Sequence, residues 1–249
     1  MEIFTVLVET SILTSIINRT NLQQYLNSTY NKVSDTRKRI LKENFTMESS
    51  NSPLIILLGG SSGTGKTTLA NALVQEFGLA HHLSTGFVRE AISAVLPTQE
   101  SKLLSGFTFD AWKLMPEPDG DDRVLNGAIA QTQLLKPAIE ACISRSVREG
   151  ASLVMEGTHL LPGIFDPKIL GVSIFCILDV PDRSVLIKRS MGPTHKSRNL
   201  DENQLDSIIQ LQEAYVRLGE EYGLPIIVNT DLEQTVDQVK GLINLKFRN

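Results

Sequence analysis

The residues best placed to do chemistry lie in one short run, Gly60-Ser61-Ser62-Gly63-Thr64-Gly65-Lys66-Thr67-Thr68. Glycines at these spacings let backbone N–H groups turn inward around phosphate oxygens. A helix that starts immediately afterwards adds the positive end of its dipole. Lys66 then reaches the β- and γ-phosphates, and the Thr67 hydroxyl can ligate Mg²⁺. The apolar run Leu54–Leu58 precedes the glycines and a helix-forming stretch follows them, which is the strand–loop–helix context that the Walker A pattern requires. The expected ligands are ATP and Mg²⁺.

Three further groups of residues carry chemistry. In Leu83-Ser84-Thr85-Gly86-Phe87-Val88-Arg89, a short strand opens into a helix that carries a guanidinium on its first turns. Arg89 there can pair with a phosphate or carboxylate of a second substrate, with Thr85 beside it; a plain helix cap followed by a surface arginine is the competing reading. In Leu153-Val154-Met155-Glu156-Gly157-Thr158-His159, a buried strand delivers a carboxylate to its C-terminal end. Glu156 can hold a metal-bound water or accept a proton from an attacking hydroxyl. His159 is open between a contact to the acceptor and a hydrogen bond inside the protein. No second histidine stands at metal-ligand spacing, which argues against zinc. The adjacent pair His81 and His82 is read as carrying no chemistry. Finally, Arg189 at the end of a helix, and Lys196 and Arg198 on the basic loop after it, can stabilise the charge of a transferring phosphoryl group, with Arg189 expected to be catalytic and a solvated basic loop as the competing reading.

These residues need a scaffold that gathers them at one edge. Strand patterns occur at Leu54–Leu58, His82–Ser84, Ser152–Met155, Ser173–Leu178 and Ile226–Val228. Helical patterns cover Lys66–Phe77, Gly86–Val95, Gly127–Arg148, Arg183–Arg189, Asp201–Tyr222 and Glu233–Leu245. Short apolar strands alternating with helices predict an α/β fold, with a mostly parallel five-stranded sheet covered on both faces. Ligands in such sheets bind beyond the strand C-termini, where the glycine loop falls. An insertion at about residues 97–126 interrupts the pattern, and Asp110 and Trp112 in it are candidates for lining an acceptor pocket. Gln131 can face the cleft from the helix that follows. Asn229, after the last strand, is a candidate neighbour of the adenine, with a structural turn as an equal competitor. Residues 1–52 read as a mainly helical N-terminal extension and linker, for which packing cover, a dimerisation arm and a regulatory element all compete. Residues 53–249 form the nucleotide-binding domain, with a basic lid at about 189–200.

Composition narrows the partners. Lys and Arg total 24 against 28 Asp and Glu, a formal net charge of -4, which gives no reason to expect nucleic acid or an anionic membrane. No run is long enough to cross a bilayer, and no secretory signal is evident, so the expected location is cytoplasmic. The two cysteines, Cys142 and Cys176, read as small buried hydrophobes. The expected partner is a small anionic acceptor, bound by a monomer or homodimer.

The combination of LIILLGGSSGTGKTTLA, STGFVREAI, FTFDAW, LVMEGTHLLPG and QEAYVRLGEEYGLPIIVN resembles the archaeal-type 2-phosphoglycerate kinase family, from about Pro53 to Leu245. The resemblance implies a P-loop NTPase fold and Mg²⁺- and ATP-dependent phosphorylation of the 3-hydroxyl of 2-phosphoglycerate. One position departs. The family pattern commonly carries Asp three residues before the acceptor-site arginine, and Gly86 stands there in this chain. The local Ser84-Thr85-Gly86-x-x-Arg89 resembles adenylate kinases instead, which keeps a nucleoside monophosphate kinase open as an alternative. A nucleotide-binding regulatory protein without turnover is a third reading.

Overall fold

The computed structural model describes residues 52–96, 101–115, 122–192 and 199–247, all within the compact unit Ser49–Asn249. The N-terminal extension and the loop residues Lys196 and Arg198 lie outside the described residues, so the expectations placed on them are not addressed by it.

The strands are β1 (Ile55–Gly59), β2 (His81–Ser84), β3 (Leu153–Glu156), β4 (Ile174–Asp179) and β5 (Ile226–Val228). The helices are α1 (Lys66–Phe77), α2 (Thr85–Val95), α3 (Arg123–Glu149), α4 (Arg183–Ser190), α5 (Glu202–Glu221) and α6 (Leu232–Phe247). Two 3₁₀ turns, Lys102–Leu104 and Thr108–Leu114, occupy the insertion between α2 and α3. All strand pairs are parallel, in the order β2-β3-β1-β4-β5. β1 is central and buried throughout, as a continuous apolar run in a sheet covered on both faces should be.

Register determines where the site falls. Glu156 pairs with Leu58 of β1 on one side and with Ser84 of β2 on the other. The three strands therefore end level, and the segments that leave them start from one edge of the sheet.

Each helix follows from its stripe and its caps. α1 buries Leu69, Ala70, Leu73 and Phe77, and Gly78 closes it in the left-handed region. α4 starts at Asp182, whose carboxylate accepts from the Ser184 and Val185 amides. α5 starts with a capping box in which Asp201 and Gln204 satisfy each other's backbone. α3 begins at Arg123, four residues before the point at which apolar periodicity becomes clear, and it carries Pro137 without a break. Its stripe Val124, Leu125, Ala128, Leu135, Ile139 and Ile143 packs with Ile55, Leu57, Leu153 and Met155 of the sheet. Each such side chain contributes about 1.5–3 kcal/mol when fully buried. Cys176 is buried in β4 and Cys142 is partly buried on α3; both are free, and burial pushes the Cys176 thiol up to about 12. Among the described residues, no helix is long and apolar enough to cross a membrane.

Candidate active site

The glycine loop joins β1 to α1 along the edge where β1, β3 and β2 end. Gly60, Gly63 and Gly65 all have positive φ. At Gly65, φ is 86° and an added Cβ would lie 2.3 Å from the Asn229 side-chain nitrogen, so only glycine fits. No side chain caps α1, which leaves its first turn facing the loop. The Lys66 ammonium donates to the Ser61 carbonyl at 2.7 Å and to Thr64 Oγ1 at 3.3 Å. The lysine is thus buried inside the loop that it would share with a phosphate. Thr67 and Thr68 are exposed on the first turn of α1.

The loop is braced from three elements. Gln212 on α5 accepts from the Ser61 amide at 2.9 Å and donates to the Leu178 carbonyl and to Asp179 Oδ1. Ser61 Oγ donates to the Ile208 carbonyl, and Ser190 Oγ donates to the Ser62 carbonyl. Asn229 completes the brace. Its amide nitrogen donates to the Thr64 carbonyl at 2.8 Å, and its oxygen accepts from Thr235 Oγ1 at 3.0 Å. The Asn229 amide thus ties the loop to α6, the structural role that competed with an adenine contact in the sequence. Sequence reasoning missed Gln212. The available signal was a glutamine interrupting the buried stripe Ile208, Leu211, Tyr215.

The strand-end carboxylate meets the loop. Thr67 Oγ1 donates to Glu156 Oε1 at 3.1 Å, and Glu156 is only 3% exposed. Two hard oxygen donors at the phosphate end of the loop have the chemistry of a Mg²⁺ site. His82, read as inert, lies with Nε2 4.0 Å from the same carboxylate oxygen. Among the described residues no three His, Cys, Asp or Glu side chains cluster as a metal site.

Gly157 follows with φ 153°, and a Cβ there would overlap Thr85 Oγ1 at 1.8 Å. This close approach brings the end of β3 onto the start of α2. Thr85 is fully buried and touches Gly157 and His159, so it supports the site from beneath instead of facing an acceptor. His159 is also buried, at 1% exposure. Its Nδ1 meets Thr85 Oγ1 at 3.0 Å; its Nε2 meets Gln131 Oε1 at 2.9 Å and Thr108 Oγ1 at 3.1 Å. With both nitrogens engaged, the internal reading of His159 replaces the acceptor contact. Burial, and then the nearby cations Arg89 and Lys66, push its imidazole down to about 3.

That displacement predicts a pH dependence. The ring binds its proton at 6.5 when unfolded but only near 3 when folded. Its contribution is therefore fully present above pH 6.5 and is lost as pH falls from there toward 3, with a limiting slope of about 1.4 kcal/mol per pH unit. Urea midpoints between pH 7.5 and pH 4.5 should fall more steeply for the wild type than for His159→Gln. Parallel curves would show that the ring is not held neutral.

Arg89 donates through Nη1 to the Gly106 carbonyl at 2.8 Å and through Nη2 to Glu90 at 3.3 Å, while its buried Nε has no hydrogen-bond partner among the described residues. Asp110 accepts from Gln204 of α5 and pairs with Lys113 at 2.7 Å. Trp112 is half-buried against α3, with the Arg123 guanidinium 4.2 Å from its ring centroid. Gly127 makes that packing possible, since a Cβ there would lie 2.3 Å from the Trp112 amide nitrogen. Arg189 lies at the end of α4, on the turn after β5. It donates to the Asn229 carbonyl at 2.8 Å and the Thr230 carbonyl at 3.4 Å, and so braces the turn after β5.

Comparison with known proteins is consistent with this geometry. The family model described as Zeta toxin matches residues 37–102, which include the glycine loop and Arg89. The chain is 31% identical over 191 residues to a 2-phosphoglycerate kinase from Pyrococcus horikoshii, covering 75% of this chain and 63% of that protein. It is 30% identical over 190 residues to a 2-phosphoglycerate kinase from Pyrococcus furiosus, again covering 75% and 63%. The resemblance read from the motifs is borne out, over less than two thirds of the length of these relatives. A solved sugar kinase from Janibacter sp. overlaps 77% of this chain and 95% of its own, with 18% identity and a TM-score of 0.47. It adds nothing to the strand order and loop already described.

Proposed function

We propose that the chain is an ATP-dependent small-molecule kinase that transfers the γ-phosphoryl group to a small phosphorylated hydroxy acid, with 2-phosphoglycerate as the leading acceptor. The observation that carries the reading is the apposition of Thr67 and Glu156 at the end of a Walker A loop. Backbone amides of the loop and Lys66 hold the phosphates, and the helix dipole of α1 favours their charge. Mg²⁺ held by Thr67 and Glu156 would offset charge on the phosphate oxygens. Arg89 receives the acceptor's anionic group through its guanidinium. The identity to archaeal 2-phosphoglycerate kinases supports the acceptor.

Arg89→Ala tests the acceptor side. The apparent KM for the acceptor should rise about 10-fold or more, the loss of a charge-assisted contact, while that for ATP changes little. The test uses Mg-ATP with 2-phosphoglycerate, 3-phosphoglycerate, AMP, CMP, UMP and simple sugars, following ADP release and labelled product. Turnover of 2-phosphoglycerate alone supports the proposal. Strong preference for one nucleoside monophosphate replaces it with the monophosphate kinase reading, and no acceptor-dependent turnover sinks both.

A further inference from the structure

Beneath the acceptor side runs a closed circuit of hydrogen bonds. Gln131 Oε1 accepts only, so the neutral His159 ring donates to it through Nε2–H and accepts a hydrogen bond from the Thr85 hydroxyl at Nδ1. Gln131 Nε2 then donates to the Leu103 carbonyl at 2.8 Å and to the Gly106 carbonyl at 3.2 Å. Gly106 O is also the acceptor for Arg89 Nη1. Thr85 and Arg89 lie on the same helix, so the path Thr85–His159–Gln131–Gly106–Arg89 returns to α2. Thr108 adds a second tie, to His159 at 3.1 Å and to Thr158 Oγ1 at 2.8 Å. His159 and its direct partner Gln131 thus fasten the insertion from Lys102 to Leu114 at Leu103, Gly106 and Thr108, beside separate ties from Arg89 to Gly106, Thr158 to Thr108 and Gln204 to Asp110.

We propose that His159 is a positioning residue: its ring docks the segment Lys102–Leu114 and, through the Gly106 carbonyl, aims Arg89 at the acceptor without touching the acceptor itself. The physical reason is the cost of leaving these groups unpaired. Gln131 is fully buried, so losing its partner leaves a polar group with neither water nor protein to satisfy it. The segment must then shift to re-pair it, carrying Gly106 along. This inference rests on Arg89 as the acceptor-side cation.

Two substitutions separate the ends of the ring. His159→Asn keeps an amide within reach of Thr85 but withdraws from Gln131 and Thr108; His159→Gln keeps the reach toward Gln131. Both should be made in the full chain, with Gln131→Ala alongside. Trp112, the only tryptophan in the chain, lies in the segment and reports its docking by emission. Amide exchange across 102–114 reports the same event without turnover. His159→Asn and Gln131→Ala should shift Trp112 emission, speed exchange in that segment, and raise the 2-phosphoglycerate KM about 10-fold or more. The ATP KM and kcat should stay within about 3-fold, His159→Gln should stay near wild type, and the double variant should add little to either single change.

Unchanged emission and exchange in His159→Asn and Gln131→Ala would overturn the proposal. So would equal damage to the ATP and acceptor constants, which is the mark of general destabilisation. Should His159→Asn fail to fold, Gln131→Ala and His159→Gln decide by the same criteria. If the wild type turned over no acceptor, the kinase reading would fall, and the positioning role would stand or fall on emission and exchange.

Discussion

Lys66→Ala should lower ATP turnover by at least about 10²-fold while leaving the protein folded. The ammonium is held inside the glycine loop by the Ser61 carbonyl and Thr64 Oγ1, and both atoms belong to the loop itself. Its removal does not unfasten the brace from Gln212, Asn229 and Ser190, which grip the loop through Ser61, Thr64 and Ser62. What is lost is a preorganised charge aimed at the transferring group, worth about 3 kcal/mol or more. Measurement pairs steady-state ADP release with a urea midpoint. A variant that turns over like the wild type would mean that phosphoryl transfer, if it occurs, happens elsewhere. A variant that loses turnover because its urea midpoint collapses would mean that Lys66 serves the fold.

The elements that hold this site were legible wherever one physical rule dominates. The apolar runs of β1, β3 and β4 are strands buried on both faces, and all five observed strands fall within a residue of the expected ones, although β2 and β5 are more exposed. Helices with a clear stripe and a capping residue, such as α1 and α5, were bounded to within one residue. α3 was harder, because its first turn, Arg123 to Asn126, mixes exposed and buried positions before the stripe becomes regular. Side-chain roles were less legible than elements. Lys66, Thr67 and Glu156 are set by loop and strand geometry, so their place follows from local sequence. Arg189, Asn229 and His159 are placed by contacts 28 to 165 residues away, which no local pattern encodes. The glutamines show what could have been read. Gln131 and Gln212 both interrupt apolar stripes, and a buried amide demands partners. Gln131 was expected near the cleft and does face inward; what could not be read was that its partners are backbone carbonyls of the insertion.

Glu156→Gln should reduce turnover by about 10²-fold or more and raise the Mg²⁺ concentration needed for half-maximal rate. The change preserves size, and the amide oxygen can still accept from Thr67 Oγ1, so the apposition seen at 3.1 Å survives. Only the negative charge is removed. A carboxylate that is 3% exposed is costly to ionise there without a cation beside it. His82, with Nε2 4.0 Å away, is a distant partner, and the neutral Thr67 hydroxyl supplies no countercharge. A cation arriving with the nucleotide meets that need, so the expected defect is Mg²⁺-dependent rather than uniform. The alternative, that Glu156 removes the acceptor's proton, gives a different signature. Turnover would fall at all Mg²⁺ concentrations, and the fall would be confined to acceptors with a hydroxyl, because a phosphate oxygen is already anionic. Titrating Mg²⁺ at saturating ATP, with a hydroxyl acceptor and with a nucleoside monophosphate, distinguishes the two roles. A variant indistinguishable from wild type in every arm would leave Glu156 as a charged residue that ends a buried strand, and the assignment of the metal-binding pair would be lost with it.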